Sequence, residues 1–287
     1  ETQRKGGLAV YFDTESAMST EFFDAIGIDT PKMLNIQMNT LEDIFASIEK
    51  IISKVRESEN KRLVTIIVDS VMGATTKVEE ASDYDKDGWA TSKAIILSKA
   101  MRKITGLIAR EKILLVFTNQ LRVRLGVTFG DKWTTSGGKA IPFHSSVRLR
   151  MQSMAKIKTK LTGPDSIIGI KTSIKVIKNR LGPPHRTMST DIYFDSGIDR
   201  FGSWLTQMKE LNIVTIAGAW YTYEYKGTPI KFQSKDFKNK LDTITGLRDH
   251  IYKHICDEYI MVYKPNVNFG IDDIELEDVT AITTPTS

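Results

Sequence analysis

The sequence has 287 residues, of which 41% are hydrophobic and 26% are charged, as in ordinary globular proteins and unlike disordered or fibrous chains. Its single cysteine, Cys256, excludes an internal disulfide framework and makes a cysteine-based zinc site unexpected. No apolar run approaches the length of a membrane span and no signal-peptide pattern opens the sequence, so a cytoplasmic protein that does not enter a membrane is expected.

The formal net charge of +5 is unevenly distributed along the chain. Residues 121–190 contain fourteen Lys and Arg against two Asp and Glu, whereas residues 265–287 contain five acidic residues and no basic one. A basic middle and an acidic end suggest a polyanion as partner and a tail that competes for the same surface. A solvated basic face followed by a passive disordered tail is the alternative, and charge alone leaves both open.

The first half of the chain alternates between apolar runs and amphipathic segments. ETQRKGG resembles the end of a helix closed by glycine, so the sequence is expected to be a fragment. Strands are predicted over 8–12, 34–36, 63–68 and 113–117, and helices over 21–26, 40–58 and 90–110. Such alternation predicts an α/β fold with a mostly parallel, doubly wound sheet.

The pattern changes in the second half. A basic, glycine-rich segment over 121–139 precedes a strand predicted to begin near Phe143, and further strands are predicted over 167–178 and 188–194. A helix over 203–211, a hairpin over 220–232 and a partly helical segment over 236–260 predict a small α+β domain. The predicted divisions are a core over 1–201, a carboxyl-terminal domain over 202–262 and a disordered acidic tail over 263–287.

Two clusters in the carboxyl-terminal domain have competing interpretations. The aromatic residues over 220–225 are expected in a hydrophobic core, with a base-stacking surface as the less favoured alternative. His250 and His254 are spaced to share one face of a helix, but the sequence offers no obvious third ligand, so a metal site is not expected.

Polar side chains follow three of the predicted strands. They are Asp13 with Glu15, Asp69 with Ser70, and Asn119 with Gln120. Carboxyl ends of parallel strands share one sheet edge, where open α/β folds bind ligands. An aspartate after four apolar residues has the form of a Walker B site, which holds Mg²⁺ through water beside nucleotide phosphates. Glu15 would then activate the attacking water, and Gln120 would hydrogen-bond a γ-phosphate.

Two further features bear on a nucleotide site. No G-x-x-x-x-G-K-[S/T] loop occurs in the sequence, so the phosphate cradle is expected to precede Glu1. Lys178 and Arg180 flank Asn179 at the end of a predicted strand, where two cations would clamp a phosphate. A solvated strand end is the alternative for this pair.

Eight ordered blocks between residues 7 and 232 resemble the RecA family of DNA strand-exchange recombinases, nearer to its bacterial or phage branch than to the eukaryotic one. The blocks are AVYFDTESAMS, TIIVDSV, LSKAMRKI, FTNQLRVRLGVTFG, TTSGGKAIPFHSSVRL, IKVIKNR, GIDRFG and AGAWYTY. The resemblance implies a RecA-type P-loop ATPase core, with a mostly parallel twisted sheet flanked by helices, and a small carboxyl-terminal α+β domain. It implies a DNA-dependent ATPase that uses ATP and Mg²⁺, self-associates into helical filaments on single-stranded DNA and exchanges strands with a homologous duplex. Recombination, DNA repair and the SOS response are the implied settings.

The resemblance also implies roles for single residues. Glu15 matches the catalytic glutamate, Gln120 the γ-phosphate sensor, and Asp69 and Ser70 the Walker B pair, with Asp69 holding Mg²⁺ through water. The first DNA-binding loop falls over 80–89 and the second over 121–139. The remaining implied contacts are to nucleotide at Ser19, Phe22, Lys178, Arg180 and Phe201, to DNA at Ser98, Arg102, Arg122, Arg124, Gly137 and Gly138, and to a neighbouring subunit at Phe143. Lys178 and Arg180 are expected to reach ATP across the filament interface.

Departures from the family pattern affect the nucleotide contacts. Arg180 stands where the family commonly has lysine, Phe22 and Phe201 stand where bacterial members often have tyrosine, and Ser19 replaces an acid.

Two other functions are compatible with the same core: a RecA-fold motor such as a hexameric helicase, and a regulatory paralogue that binds DNA without hydrolysing ATP. The block TTSGGKAIPFHSSVRL argues against the first, and Glu15 argues against the second.

Overall fold

A computed structural model describes residues 1–57, 62–82, 89–109, 111–123, 126, 133–135, 137–159 and 166–260, without the side chains of residues 89, 90, 259 and 260. This part of the chain divides into two compact units, one ending at Ser145 and one beginning at Ser146. The predicted domain boundary at 201 falls inside the second unit. The predicted acidic tail and Arg124 lie outside the described residues.

The first unit is built on a four-stranded parallel sheet in the order β2–β1–β3–β4. Its strands are β1 (Leu8–Asp13), β2 (Met33–Gln37), β3 (Val64–Asp69) and β4 (Ile113–Phe117). Apolar and β-branched residues dominate these runs, because a sheet covered on its faces buries its side chains. The register places Asp13 directly opposite Asp69, so the polar strand ends meet at one edge.

Helices cover this sheet and close the larger core. They are α1 (Thr20–Ala25), α2 (Leu41–Glu57), α3 (Lys77–Glu80), α4 (Trp89–Ile108) and α5 (Ala140–His144). Thr40 caps the start of α2, since its hydroxyl accepts from the Asp43 N–H and donates to the Asp43 carboxylate. The fully buried core side chains come from the sheet, from α2 and from α4, and include Phe12, Ile44, Ile48, Ile66 and Leu97.

The segment after β4 differs from the sequence prediction. A short antiparallel pair, β5 (Leu121–Val123) and β6 (Trp133–Thr135), leads to α5. The prediction of a strand beginning near Phe143 is wrong, because the Phe143 N–H bonds the Lys139 carbonyl and the Ser145 N–H bonds the Ile141 carbonyl. These are helical hydrogen bonds, and the next strand begins only at Val147.

The second unit begins with a four-stranded antiparallel sheet in the order β10–β9–β8–β7. Its strands are β7 (Val147–Thr159), β8 (Ser166–Asn179), β9 (Thr187–Tyr193) and β10 (Gly197–Ile198). The strands predicted over 167–178 and 188–194 are confirmed. They run antiparallel because the connections between them are too short for the crossover that parallel neighbours need.

The rest of the second unit is a small α+β module with its own core. Its elements are α6 (Arg200–Glu210), β11 (Thr215–Ala217), β12 (Trp220–Tyr225), β13 (Thr228–Gln233), α7 (Phe237–Thr243) and α8 (Leu247–Ile255). The predicted hairpin is confirmed, and Lys226 and Gly227 form its turn with positive φ angles of 52° and 76°. Tyr223 and Tyr225 are buried in this core, as the favoured interpretation of the aromatic run predicts, whereas Trp220 is 42% exposed.

Within the described residues, no helix combines the length and the apolar character that crossing a membrane requires.

Candidate functional site

The polar residues that follow β1, β3 and β4 are held together by hydrogen bonds at the carboxyl edge of the parallel sheet. The Thr118 hydroxyl donates to Asp69 Oδ1 at 2.6 Å, and the Tyr11 hydroxyl donates to Asp69 Oδ2 at 2.5 Å. Burial, helped by the hydrogen bond and the charge of Asp69, raises the pKa of Tyr11. Tyr11 therefore stays protonated and keeps donating, so two hydroxyls fix the orientation of the Asp69 carboxylate.

Ser70 joins this edge to Glu15. The buried Ser70 hydroxyl donates to Glu15 Oε1 at 2.7 Å and accepts from the Gly73 N–H at 3.1 Å. Thr14 locks the two strand ends, because its hydroxyl donates to the Ser70 carbonyl and accepts from the Ser70 N–H, each at 2.9 Å. Glu15 is itself exposed, so one carboxylate oxygen is held by Ser70 while the side chain faces solvent.

Asp13 has a different role from Glu15, although both follow the same strand. Its carboxylate is buried and accepts from the backbone N–H groups of Glu15 at 3.1 Å, Ala17 at 3.4 Å and Met18 at 3.1 Å. These hydrogen bonds give the backbone N–H groups of the loop after β1 their acceptor. Asp13 thus shapes the loop that carries Glu15 and is not placed to contact a ligand.

Gln120 lies two residues after Thr118 and is exposed. Its N–H donates to the Asn119 side-chain oxygen at 2.9 Å, and within the described part of the chain its side-chain amide has no hydrogen-bond partner. Arg122, at the start of the basic, glycine-rich segment, places Nη2 at 3.8 Å from the sulfur of Met72, in the turn that follows Ser70. The segment after β4 thus returns to the turn after β3.

Helix α1 and its cap carry two of the residues expected to contact nucleotide, Ser19 and Phe22. Ser19 is its N-cap: the hydroxyl accepts from the Phe22 N–H at 3.2 Å and donates to the Glu21 carboxylate at 2.9 Å. This hydrogen bond lowers the pKa of Glu21. The Phe22 ring is 44% exposed, which leaves an aromatic face open to a ligand.

The predicted DNA contacts of the first unit lie around α4 and α5. Ser98 and Arg102 are on α4, and Arg102 is exposed. Gly137 and Gly138 have φ angles of 85° and 71°, which glycine adopts readily, and they pack against α4. Phe143, expected at a subunit interface, is 68% exposed.

The other predicted nucleotide contacts lie in the second unit. Lys178 and Arg180 stand at the end of β8. Burial, then the positive charges of Arg180 and Arg148, lower the pKa of Lys178. Phe201 is on α6, where it packs edge-to-face on Trp204 with ring centroids 5.8 Å apart and lies 5.6 Å from the Arg248 guanidinium.

Comparison with known proteins adds independent information on this arrangement. Residues 1–199 match the sequence model of the RecA N-terminal domain. The chain belongs to the RecA family. It is 37% identical over 224 residues to RecA of Prochlorococcus marinus strain MIT 9211, 34% identical over 278 residues to RecA of Lactobacillus delbrueckii subsp. bulgaricus, and 34% identical over 276 residues to RecA of Bacillus mycoides. These alignments cover 78%, 97% and 96% of this chain, and 58%, 69% and 75% of the three relatives.

Family membership confirms the resemblance and the fold class predicted from the sequence. The parallel sheet flanked by helices forms the α/β part of a RecA-type fold, and the module beyond residue 200 forms the small α+β part. The chain spans only 58% of the Prochlorococcus relative.

The donor set at the carboxyl edge fits the magnesium ion that a RecA-type site would hold. Mg²⁺ keeps several waters and binds through few protein carboxylates plus phosphates. The Asp69 oxygens each retain a lone pair beyond the hydroxyl they accept from, so they can also accept from metal-bound water. Among the described residues, no group of three or more His, Cys, Asp or Glu is placed to hold a metal ion.

Four residues of this RecA-type edge were missed from the sequence: Tyr11, Thr14, Gly73 and Thr118. Apart from Ser70, the residues predicted at this edge are acids and amides, whereas the groups that fix them are hydroxyls and a glycine. Tyr11 is the only residue of the LAVYF run with a polar side chain, and Thr14 and Thr118 directly follow strands. Hydroxyl residues beside the acids were the available signal.

Proposed function

We propose that the protein carrying this chain is an ATP-dependent recombinase of RecA type. It binds ATP and Mg²⁺, assembles into helical filaments on single-stranded DNA and exchanges strands with a homologous duplex, in recombination and DNA repair. The observation that carries this proposal is the 2.7 Å hydrogen bond from Ser70 to Glu15, beside Asp69. It joins the Walker B pair to the expected general base at the edge where α/β sheets bind ligands.

Glu15 is proposed to accept the proton of the attacking water. Ser70 holds one carboxylate oxygen and Glu15 is exposed, so the other oxygen would be available to accept a proton from the attacking water. Mg²⁺, when bound, neutralises charge on the phosphates. Asp69, oriented by Thr118 and Tyr11, accepts from the waters of that ion.

Gln120 is proposed to report on the γ-phosphate. Its exposed side-chain amide can donate to a phosphate oxygen, and the segment that begins beside it leads to Arg122. A hydrogen bond made only when the γ-phosphate is present therefore biases the position of a basic segment. That is the differential contact that a ligand-controlled change in DNA affinity needs.

Lys178 and Arg180 are proposed to contact the nucleotide of a neighbouring subunit. Lys178 has a lowered pKa because of burial and of the charges on Arg180 and Arg148. A phosphate nearby would oppose these effects and favour the charged lysine. Binding of ATP would thus stabilise the contact between subunits.

The DNA-binding surface is proposed to comprise Ser98, Arg102 and Arg122 with the paired glycines 137 and 138. Exposed arginines neutralise phosphates, and glycine lets a backbone approach them closely. The predicted contact of Arg124 belongs to the same segment and lies outside the described residues. The proposed site of action is the cytoplasm.

A strand-exchange assay on the protein that carries this chain tests the proposal. We expect ATP hydrolysis stimulated by single-stranded DNA, helical filaments by electron microscopy, and displacement of a labelled strand from a homologous duplex. A heterologous duplex of equal length is the control and should release no strand. Rings in place of filaments would point to a RecA-fold motor, and DNA binding without hydrolysis would point to a regulatory paralogue; either result would reject strand exchange.

A further inference from the structure

Lys93, on the face of α4 nearest to the carboxyl edge, has no role in the function proposed above. It is partly buried, and its ammonium donates to the Met72 carbonyl at 3.1 Å and to the Ala74 carbonyl. Both carbonyls lie in the turn that follows Ser70. Burial lowers the pKa of Lys93, and the two carbonyls are the hydrogen-bond acceptors that favour its charged form. A lysine that bridges two carbonyls fixes the backbone between them.

The residue between those two carbonyls is Gly73, and it is pressed against the catalytic side chain. Its N–H donates to the Ser70 hydroxyl, the same hydroxyl that holds Glu15. A Cβ atom on Gly73 would lie 2.6 Å from Thr14 Oγ1 and 2.8 Å from Glu15 Cγ. The turn at Gly73 therefore packs directly against the Glu15 side chain, and a shift of this turn would move Glu15.

The same helix contacts the paired glycines of the predicted second DNA-binding loop. A Cβ on Gly138 would lie 3.1 Å from the Cβ of Ala94, and a Cβ on Gly137 would clash with the Leu97 side chain. Ala94 directly follows Lys93 in the chain. One turn of α4 thus contacts two segments. Ala94 contacts Gly138 of the loop, and Lys93 contacts the turn that packs against Glu15.

We propose that Lys93 is a positioning residue for ATP hydrolysis, which holds the turn at Gly73 against Glu15 and thereby couples α4 and its glycine contacts to the Ser70 and Glu15 pair. The inference rests on the proposed function, because it assigns the coupling between DNA contact and hydrolysis. Lys93 itself does not touch the reacting atoms. Its effect is on the orientation of the general base, and such an effect appears in kcat and not in ATP binding.

The kinetic test compares Lys93→Met with Lys103→Met in the protein that carries this chain. Lys103 is on the same helix, is exposed, and pairs with Glu49, so it controls for loss of a lysine from α4. Since hydrogen bonds to a charged group are among the stronger ones, we expect Lys93→Met to lower kcat at saturating single-stranded DNA about tenfold or more, with KM for ATP changed less than about twofold. Lys103→Met should match the wild type. Lys93→Arg keeps a charged donor and should recover most of kcat, which a merely space-filling role would not explain.

Hydrogen exchange provides a second readout that needs no activity. The amide of Gly73 should exchange faster in Lys93→Met than in the wild type or in Lys103→Met, because the turn loses its anchor. If the wild type does not hydrolyse ATP, the proposed function and the kinetic role of Lys93 both fail, whereas exchange at Gly73 still decides whether Lys93 anchors the turn. Unchanged exchange at Gly73, or a wild-type kcat in Lys93→Met, overturns the inference. If Lys93→Met does not fold, Lys93→Gln is used instead. It removes the charge and shortens the side chain while adding less apolar surface, and kcat and the exchange rate of Gly73 are measured in the same way.

Discussion

The carboxyl edge of the parallel sheet and the end of β8 differ in the surroundings that they give to their charged side chains. At the carboxyl edge, the Asp69 carboxylate accepts from two hydroxyls, and one oxygen of Glu15 is held by Ser70. At the end of β8, Lys178 is partly buried among like charges, and its pKa is lowered. Hydroxyl hydrogen bonds thus hold the carboxylates of the first region, whereas burial and like charges lower the pKa of Lys178 in the second, an effect that an approaching anion would oppose.

This contrast indicates how one nucleotide can serve two purposes. A pre-arranged edge lowers the barrier to chemistry, because its groups need no reorganisation when the substrate binds. An electrostatically unfavourable strand end gains most from a bound phosphate, so it is suited to making assembly depend on ATP. We therefore expect substitutions at the edge to affect the rate of hydrolysis, and substitutions at the strand end to affect assembly.

The largest expected effect is at the edge. In the protein that carries this chain, Glu15→Gln should lower kcat for ATP hydrolysis about a thousandfold, since a general base contributes roughly 10²–10⁴-fold. Assembly on DNA with ATP should persist. Phosphate release at saturating ATP and DNA measures the effect, and Glu57→Gln, an exposed residue paired with Lys54, is the matched control. Loss of assembly together with hydrolysis would break the contrast between the two regions.

The next effect is at the strand end. The double substitution Lys178→Ala and Arg180→Ala should leave each unit folded but raise the ATP concentration needed for filaments about a hundredfold or more, because two charge-assisted contacts are lost. Light scattering against ATP concentration measures assembly. Mixing this variant with Glu15→Gln should restore some hydrolysis, because each variant retains the half of a shared site that the other lacks. A co-assembled mixture with no activity would contradict a site shared between subunits.

The smallest expected effect concerns stability and lies away from both regions. Tyr223 is buried and bonds His250 at 2.9 Å and His254 at 3.0 Å, and burial, with a smaller contribution from Tyr225, raises its pKa to about 12. The unfolded chain loses this proton near pH 10, whereas the folded state keeps it, so stability falls as pH rises from 10 to 12. The loss should reach about 2–3 kcal/mol at pH 12.

Denaturant unfolding of the second unit between pH 9 and pH 12 checks this expectation. Tyr223→Phe should flatten the pH dependence, and Tyr252→Phe, at an exposed tyrosine of the same module, should not. Equal slopes in Tyr223→Phe and the wild type would assign the alkaline loss of stability to other groups.

Much of the fold was predictable because its signals are local. The apolar run over 113–117 is bounded by polar residues and corresponds to β4 without change, and the cap at Thr40 marked the start of α2. The helix at Phe143 was not predictable from the same signals, because the segment 140–144 is short and mostly apolar, like the start of a strand. Strands over 167–178 and 188–194 were predicted, but periodicity does not encode which strands pair, so it did not show that they form a separate antiparallel sheet.

The candidate site was predictable only in part for the same reason. Glu15, Asp69 and Ser70 follow apolar runs, and their chemistry is visible in the sequence. The groups that orient them come from elsewhere in the chain: Thr118 lies 49 residues from Asp69, and Lys93 lies 21 residues from Met72. Only the folded arrangement shows that these side chains converge on one edge.

We propose that ATP bound at the carboxyl edge controls the affinity for DNA. A substitution of Gln120 tests this most directly. The measurement is the Kd for a single-stranded oligonucleotide, at fixed salt, with and without a non-hydrolysable ATP analogue, for wild type and Gln120→Ala in the protein that carries this chain. One hydrogen bond to a charged group is worth roughly 1.5–3 kcal/mol, so the analogue should tighten wild-type binding about ten- to a hundredfold. Gln120→Ala should lose most of this tightening while still binding the analogue. Tightening of the variant equal to that of the wild type would contradict the claim.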